Sequence, residues 1–453
     1  MGVSRFIRAL IVAAAGTLVA SSVSASSGTG PIQVDDSTLN ATSATLGGAT
    51  PLNTTQTIPY WFGQTTNPNN GVTYGYNMVG ANPNSCAGSA CSATVQVDIT
   101  PVIVNIAGRT YSPLAPDSSG QTALSATLAS PQFATNNYGS TTAATVPGPA
   151  IPTPPFVSEI EGPGGILSQG DAGSSLQLED ATMRAQFNHT GSSPYHLMLH
   201  PNVLPAVTID VPSSQGVLLQ RSSTGVVVAD INISWWATRI QDLITSADPT
   251  HLPIYLTNDV YLHIGPNVLH CCVIGFHGAA LVPGRGAGST NGNGSQPIQT
   301  YAWASWVSPG FYARPAVIGT GLRDWALQDI HPLSHEISEW ADDPFTNNTV
   351  QPWVTPTAPQ YGCTGLMETG DPVVAIGFSM GTNTFEQGPN PKGSQSADGT
   401  YHPEDEALLP WFMRTAPNTT SEPTQSPSTN VGRYTLMGDL NPFQGFRGPA
   451  TGC

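Results

Sequence analysis

The sequence predicts an α+β protein with a mixed sheet. Three observations carry that expectation. Short runs such as Thr94-Val95-Gln96-Val97-Asp98-Ile99 alternate apolar and polar residues, as half-buried strands do. Ser234-Trp235-Trp236-Ala237-Thr238-Arg239-Ile240-Gln241-Asp242-Leu243-Ile244 has helical spacing, with Trp236, Ile240 and Leu243 on one side. Between Pro332 and Pro344 lies Leu333-Ser334-His335-Glu336-Ile337-Ser338-Glu339-Trp340-Ala341-Asp342-Asp343, a second helix bounded by residues that cannot continue one.

The chain has 453 residues and begins with Arg5 and Arg8, an apolar run over 9–20 and then Ser21-Ser22-Val23-Ser24-Ala25. A basic start, a short apolar stretch and a small-residue end describe a secretory signal peptide over residues 1–25. That stretch is too short to span a bilayer, and no later run is longer, so no membrane span is expected. The expected location is secreted, or extracellular.

Composition agrees with export. Only 9% of residues are charged, and Lys392 is the one lysine. The 29 acidic residues outnumber the 13 basic ones, which argues against nucleic acid and anionic lipid as partners. Six cysteines suit an oxidising compartment. Cys86 and Cys91 are close enough to pair with each other. Cys271 and Cys272 are expected to pair with Cys363 and Cys453, in either order, because adjacent cysteines rarely bond to one another.

In chain order, residues 26–56 are rich in Ser, Thr, Gly and Asn and read as a flexible leader. Residues 57–155 form a β-rich N-terminal region or prosegment. Strand-like runs cover 58–62, 72–76 and 94–99, and a short helix covers 122–133. The Pro/Ala/Thr-rich stretch 141–155 reads as a linker or long loop. Residues 156–453 form the main domain with a C-terminal tail. It contains a helix over 180–187, a strand over 195–199, the helix capped by Ser234, strands over 252–256, 260–264 and 299–306, and then the helix of His335.

That last helix holds the candidate chemistry. His335 and Glu339 are four residues apart and share one face, so they can grip one divalent metal. Glu336 beside them is free to move a proton as general base. Asp343, eight residues after His335, can accept the other ring N–H of a ligand histidine. His331 is expected just outside the helix, because Pro332 follows it. Downstream, Met367-Glu368-Thr369-Gly370-Asp371-Pro372 brings two more carboxylates; Glu368 is the favoured third ligand and Asp371 the alternative. A fourth position would be left for water. His402 is the candidate donor to an oxyanion. His277 fits either a cleft wall or a packed strand. The buried-looking Trp residues read as core and subsite walls, and no serine or cysteine nucleophile motif is visible.

Ser334-His335-Glu336-Ile337-Ser338-Glu339 with Asp343-Pro344, Trp353 and Glu368-Thr369-Gly370-Asp371 resembles the plant phosphate-induced, or exordium-like, extracellular proteins. Gly275-Phe276-His277-Gly278 and Tyr301-Ala302-Trp303 resemble further segments of that family, in the same order. The resemblance covers about residues 225–375. It implies secretion and a zincin-like site, in a zincin-like domain whose active-site helix is that of His335. The chain lacks the family's Cys after Gly370-Asp371, and Cys271-Cys272 are displaced from Gly275, so the family's disulfide pattern does not carry over. The expected function is a secreted zinc-dependent peptidase acting on protein or peptide through metal-activated water. The alternative is a non-catalytic extracellular cell-surface protein, or one binding carbohydrate such as cell-wall polysaccharide, on the same scaffold.

Overall fold

The computed structural model describes residues 32–34, 56–137, 175–187, 194–222, 224–281, 297–311, 328–355, 363–373, 380–385, 401–415 and 434–436. The expected signal peptide, the 141–155 linker, Cys453 and most of the leader and C-terminal tail lie outside them.

The elements follow in this order. Strand β1 is Ile32–Val34, β2 Tyr60–Thr66, β3 Thr73–Val79, β4 Ser92–Ile106 and β5 Arg109–Tyr111. Helix α1 is Ala123–Ala129, and the short strands β6 Asn136–Asn137 and β7 Ser175–Leu176 pair with each other. Helix α2 is Leu178–Gln186. Then come β8 His196–Val203, β9 Val207–Asp210, β10 Gly216–Arg221, β11 Val227–Asn232 and helix α3 Ile233–Ile244. Strands β12 Leu252–Asn258, β13 Val260–His263, β14 Cys271–Val273, β15 Gly275–Leu281 and β16 Ile298–Trp306 lead to helix α4 His331–Asp342. Strands β17 Thr349–Val354 and β18 Cys363–Leu366 form a hairpin, and α5 Leu409–Met413 follows.

This is an α+β fold with a mixed sheet. Among the described residues seven strands build the main sheet, in the order β15-β16-β12-β4-β5 with β8 and β9 also on β4. The long strand β4 runs parallel to β12 and β8, while β15 is antiparallel to β16. The sheet therefore crosses the boundary expected near residue 155: β4 sits inside it, between strands of the later region. Ile58, Trp61, Tyr76 and Met78 also pack in one hydrophobic cluster with Leu333, Ile337 and Trp340 of α4. A second sheet of five strands begins with β1, which pairs in parallel with β10. The leader thus contains one strand where the sequence composition predicts flexibility.

Alternation along β16 explains how two layers cover the sheet. Ala302, Ala304 and Trp306 face a core shared with Leu333, Ile337 and Trp340 of α4. Tyr301 and Trp303 face the opposite core, with Trp236 and Ile240 of α3. Every residue of β16 is buried, as a strand covered on both faces must be. Burying each of these large side chains contributes roughly 1.5–3 kcal/mol. The Trp340 indole also donates to Thr300 Oγ1 at 3.0 Å, which fixes α4 over this strand.

Local details differ from expectation in three places. Asn232, not Ser234, caps α3: its side chain accepts from the backbone N–H of Ser234 and Trp235. His331 is the first residue of α4 rather than outside it, because Pro332 is compatible with a first helical turn. Cys86 pairs with Cys91 as expected, but Cys271 is bonded to Cys272, and Cys363 is in a disulfide as well. Among the described residues no helix is long and apolar enough to cross a membrane.

Candidate metal centre

Three segments converge on the buried polar side of α4. The first is α4 itself, which carries His335, Glu336 and Glu339 within one turn. The second is β15. Its residue His277 pairs opposite Ala302, so it shares the face of the sheet that α4 covers; Phe276, opposite Trp303, takes the other face. The third is the turn after β18, which carries Glu368 and Asp371. That turn is held by hydrogen bonds from Met367 N to Asn348 O at 3.0 Å and from Ala407 N to Thr369 O at 2.8 Å.

Two glycines give these side chains room. A Cβ on Gly275 would lie 2.6 Å from both Cγ and Oε1 of Glu336. A Cβ on Gly370 would collide with the His335 imidazole. In each case the backbone approaches the polar side chain as closely as glycine alone permits.

His335, Glu336, Glu339 and His277 are all buried, and Glu368 is 4% exposed. His335 Nε2 and Glu339 Oε1 are 3.1 Å apart, and neither atom has any other polar partner as near among the described residues. His277 Nδ1 is 3.4 Å from both Glu336 Oε2 and Glu339 Oε2, and its Nε2 is 3.9 Å from Glu368 Oε2. His277 Nε2, Glu336 Oε1 and both Glu368 oxygens are buried without partners among the described residues. Asp371 Oδ1 is 3.9 Å from His335 Nε2, and its side chain, 25% exposed, marks where the cluster comes nearest to solvent.

The electrostatics follow from this crowding. Burial alone would lower the His277 and His335 pKa values, but the surrounding carboxylates reverse this and raise both well above the ordinary range; Glu336 and Glu339 act on His277, Glu339 and Glu404 on His335. Burial pushes Glu336 up to about 7, against the pull of His277 and His335. Glu339 is also raised by burial, but His335 and His277 win and hold it at about 2. Burial, reinforced by Glu339, raises Glu368 well above the carboxylate range.

The structure therefore brings together His335, Glu336, Glu339, Glu368 and Asp371, as the sequence grouped them, and adds His277. The buried sets His277, Glu339, Glu368 and His335, Glu336, Glu339 can each hold a metal ion, their donor atoms lying within 4.8 Å of one another. The fit is also chemical: unpartnered nitrogen and carboxylate oxygen are the donors a divalent cation takes, and leaving them empty in a buried site is costly.

Two expected roles are not filled by the residues expected. The partner of His335 is not Asp343 but Glu404, whose Oε2 is 2.7 Å from His335 Nδ1. Asp343 lies just past the last helical turn and instead accepts from the backbone N–H of Asn347 and Asn348. Spacing on an ideal helix face fails there because the backbone has already left the helix. Glu404 is placed by a bond from its N–H to Ser334 Oγ at 2.9 Å, and its Oε2 also lies 2.9 Å from His331 Nε2. His402 is committed elsewhere: its Nδ1 is 2.7 Å from Asp329 Oδ2 and its Nε2 is 3.1 Å from the Gln328 amide nitrogen. An imidazole donating to Asp329 through Nδ1 and accepting at Nε2 has no N–H left for an oxyanion. A sequence signal for His277 existed in the strand alternation of Gly275-Phe276-His277; for Glu404 there was none beyond its polar setting between Pro403 and Asp405.

Comparison with known families, with characterised proteins and with solved structures finds no match to this chain.

Proposed function

We propose that the protein is a secreted zinc-dependent peptidase with a zincin-like catalytic helix. The observation that carries the reading is the buried pair His335 Nε2 and Glu339 Oε1, 3.1 Å apart, a spacing that two ligands of one cation adopt. A nitrogen and a carboxylate oxygen that close can share one cation once the imidazole has lost its proton. His335, Glu339 and Glu368 would hold it, with His277 and Asp371 as the other donors in reach. Zinc supplies Lewis acidity that makes water a nucleophile at neutral pH.

The chain's own residues do the rest. Glu336, beside the ligands, takes a proton and returns it to the leaving amine; a carboxyl poised near neutrality suits both steps. Glu404 fixes the tautomer and orientation of His335. The resemblance to the exordium-like proteins supports the same assignment through the motif residues alone.

One observation favours a second reading. All of the ligand set except Asp371 is buried, which suits a metal that stabilises a non-catalytic cell-surface or polysaccharide-binding protein. Elemental analysis of the mature protein, prepared without chelators, separates the readings. Under the peptidase reading it shows at least one zinc per chain, lost in Glu339→Ala, and Glu336→Gln lowers casein hydrolysis by roughly 10²–10⁴ while keeping zinc. Absence of metal overturns the peptidase reading, and zinc without any hydrolysis by the native chain selects the binding protein.

A further inference from the structure

We propose that the site takes the free N-terminus of a peptide, with Asp371 as the acceptor of its α-ammonium. Water would then add across the first peptide bond, releasing one amino acid and a shortened peptide. This names a substrate class for the peptidase reading above and rests on it.

The first argument is where the cluster opens. The side chains of His277, His335, Glu336 and Glu339 are no more than 3% exposed and that of Glu368 is 5% exposed, while that of Asp371 is 25% exposed. Cleavage in the middle of a chain needs room for the substrate on both sides of the bond. Donors this deep, with one member reaching solvent, suit a chain end.

Charge is the second. Asp371 belongs to neither of the two buried donor sets among the described residues, so its carboxylate stands at the opening rather than on the ion. A divalent ion balances Glu339 and Glu368, and His335 binds it as a neutral imidazole. Apart from the proton carrier Glu336, the charge of Asp371 remains. The α-amino group of a peptide, with an ordinary pKa of about 7.7–8.0, is largely positive at neutral pH and matches it.

Reach is the third. Asp371 Oδ1 lies 3.9 Å from His335 Nε2. The residue is held there, because Gly370 packs directly on the His335 ring and accepts from the Val373 N–H at 3.0 Å. In a peptide the first carbonyl carbon is only about 2.5 Å from the terminal nitrogen. An ammonium on Asp371 therefore presents the first peptide bond beside His335 and Glu339. A lysine ammonium stands on a four-carbon stem, which would hold its peptide bond away from them.

The test compares a pentapeptide that begins with leucine and contains an internal lysine with its N-acetylated form, using the zinc-loaded full-length chain and mass spectrometry. The free peptide should lose residues one at a time from its N-terminus, and acetylation should lower kcat/KM by about 10–100-fold or more. Calorimetry with leucinol, which has the ammonium but no peptide bond, gives a readout without catalysis. Asp371→Asn should bind it about 10–100-fold more weakly than the native chain does. Native chain with the acetylated peptide answers the question whether or not the variant folds. Equal cleavage of both peptides, or first cleavage at an internal bond such as one beside the lysine, overturns the N-terminal assignment and leaves the zinc-peptidase proposal standing. Equal binding of leucinol to the native chain and a folded variant overturns the role of Asp371. Cleavage of neither peptide overturns both proposals.

Discussion

Glu404 Oε2 lies 2.7 Å from His335 Nδ1, and the two residues are sixty-nine positions apart in the chain. This contact orients the imidazole so that Nε2 points into the carboxylate cluster. Replacing Glu404 by Gln keeps the shape but removes the charge. Zinc affinity should fall by about 10–100-fold, measured by competition with a coloured chelator. An unchanged affinity would show that Glu404 serves His331 and the fold rather than the ligand.

Gly275 makes the second prediction. A methyl group there would sit 2.6 Å from Glu336 Cγ and Oε1, so Gly275→Ala must displace that side chain or the strand. The expected cost is about 1–3 kcal/mol in urea unfolding, with a loss of hydrolysis larger than the loss of folded protein. If activity per folded molecule is unchanged, Glu336 is not the proton carrier.

His402 makes the third. Because both ring nitrogens are engaged by Asp329 and Gln328, its removal should act on stability. His402→Ala is expected to lower unfolding free energy by about 1–3 kcal/mol, since it strands buried partners, and to leave kcat per folded molecule unchanged. A drop in kcat at unchanged stability would restore it to the chemistry.

The pH dependence of stability is the fourth. Burial raises Asp230 to about 6, against the pull of His263. It raises Asp259 likewise, against the hydrogen bonds from Ser308. The folded chain therefore holds protons that the unfolded chain has lost above its ordinary value of 3.8. Their stabilising effect is full below about pH 4 and is lost as pH rises through about 6, by roughly 3 kcal/mol each. Glu339, held at about 2, loses its contribution only in more acid solution, outside this window. Melting temperature of the metal-free protein should fall between pH 4 and 6.5, and Asp259→Asn should flatten part of that slope. A melting temperature that rises over this interval would contradict the assignment.

How much of this was legible can be argued residue by residue. The helix of His335 was readable, since Pro332, Pro344 and the apolar spacing of Leu333, Ile337 and Trp340 are local. So was β16, whose Tyr301 and Trp303 alternate with Ala302 and Ala304. The Cys86–Cys91 bridge followed from short loop closure. The Cys271–Cys272 bond did not, because pairing was inferred from what adjacent cysteines usually avoid. The α3 cap moved from Ser234 to Asn232 because both can cap, and only the backbone decides which has its side chain opposite the free N–H groups. The same limit applied to Asp343, whose helical phase was lost one residue past the helix end.

Sequence by itself determined which residues could share a helix face, because a fixed rise and turn places His335 and Glu339 together regardless of the rest of the chain. It also marked Glu368 and Asp371 as a nearby carboxylate source. Tertiary structure alone decided that His277 faces the cluster and that Glu404, not Asp343, holds His335. Those two facts depend on which strand pairs with β16 and on where the chain after residue 400 packs against α4. Contacts made across so many residues are set by burial of whole surfaces, and no local spacing encodes them.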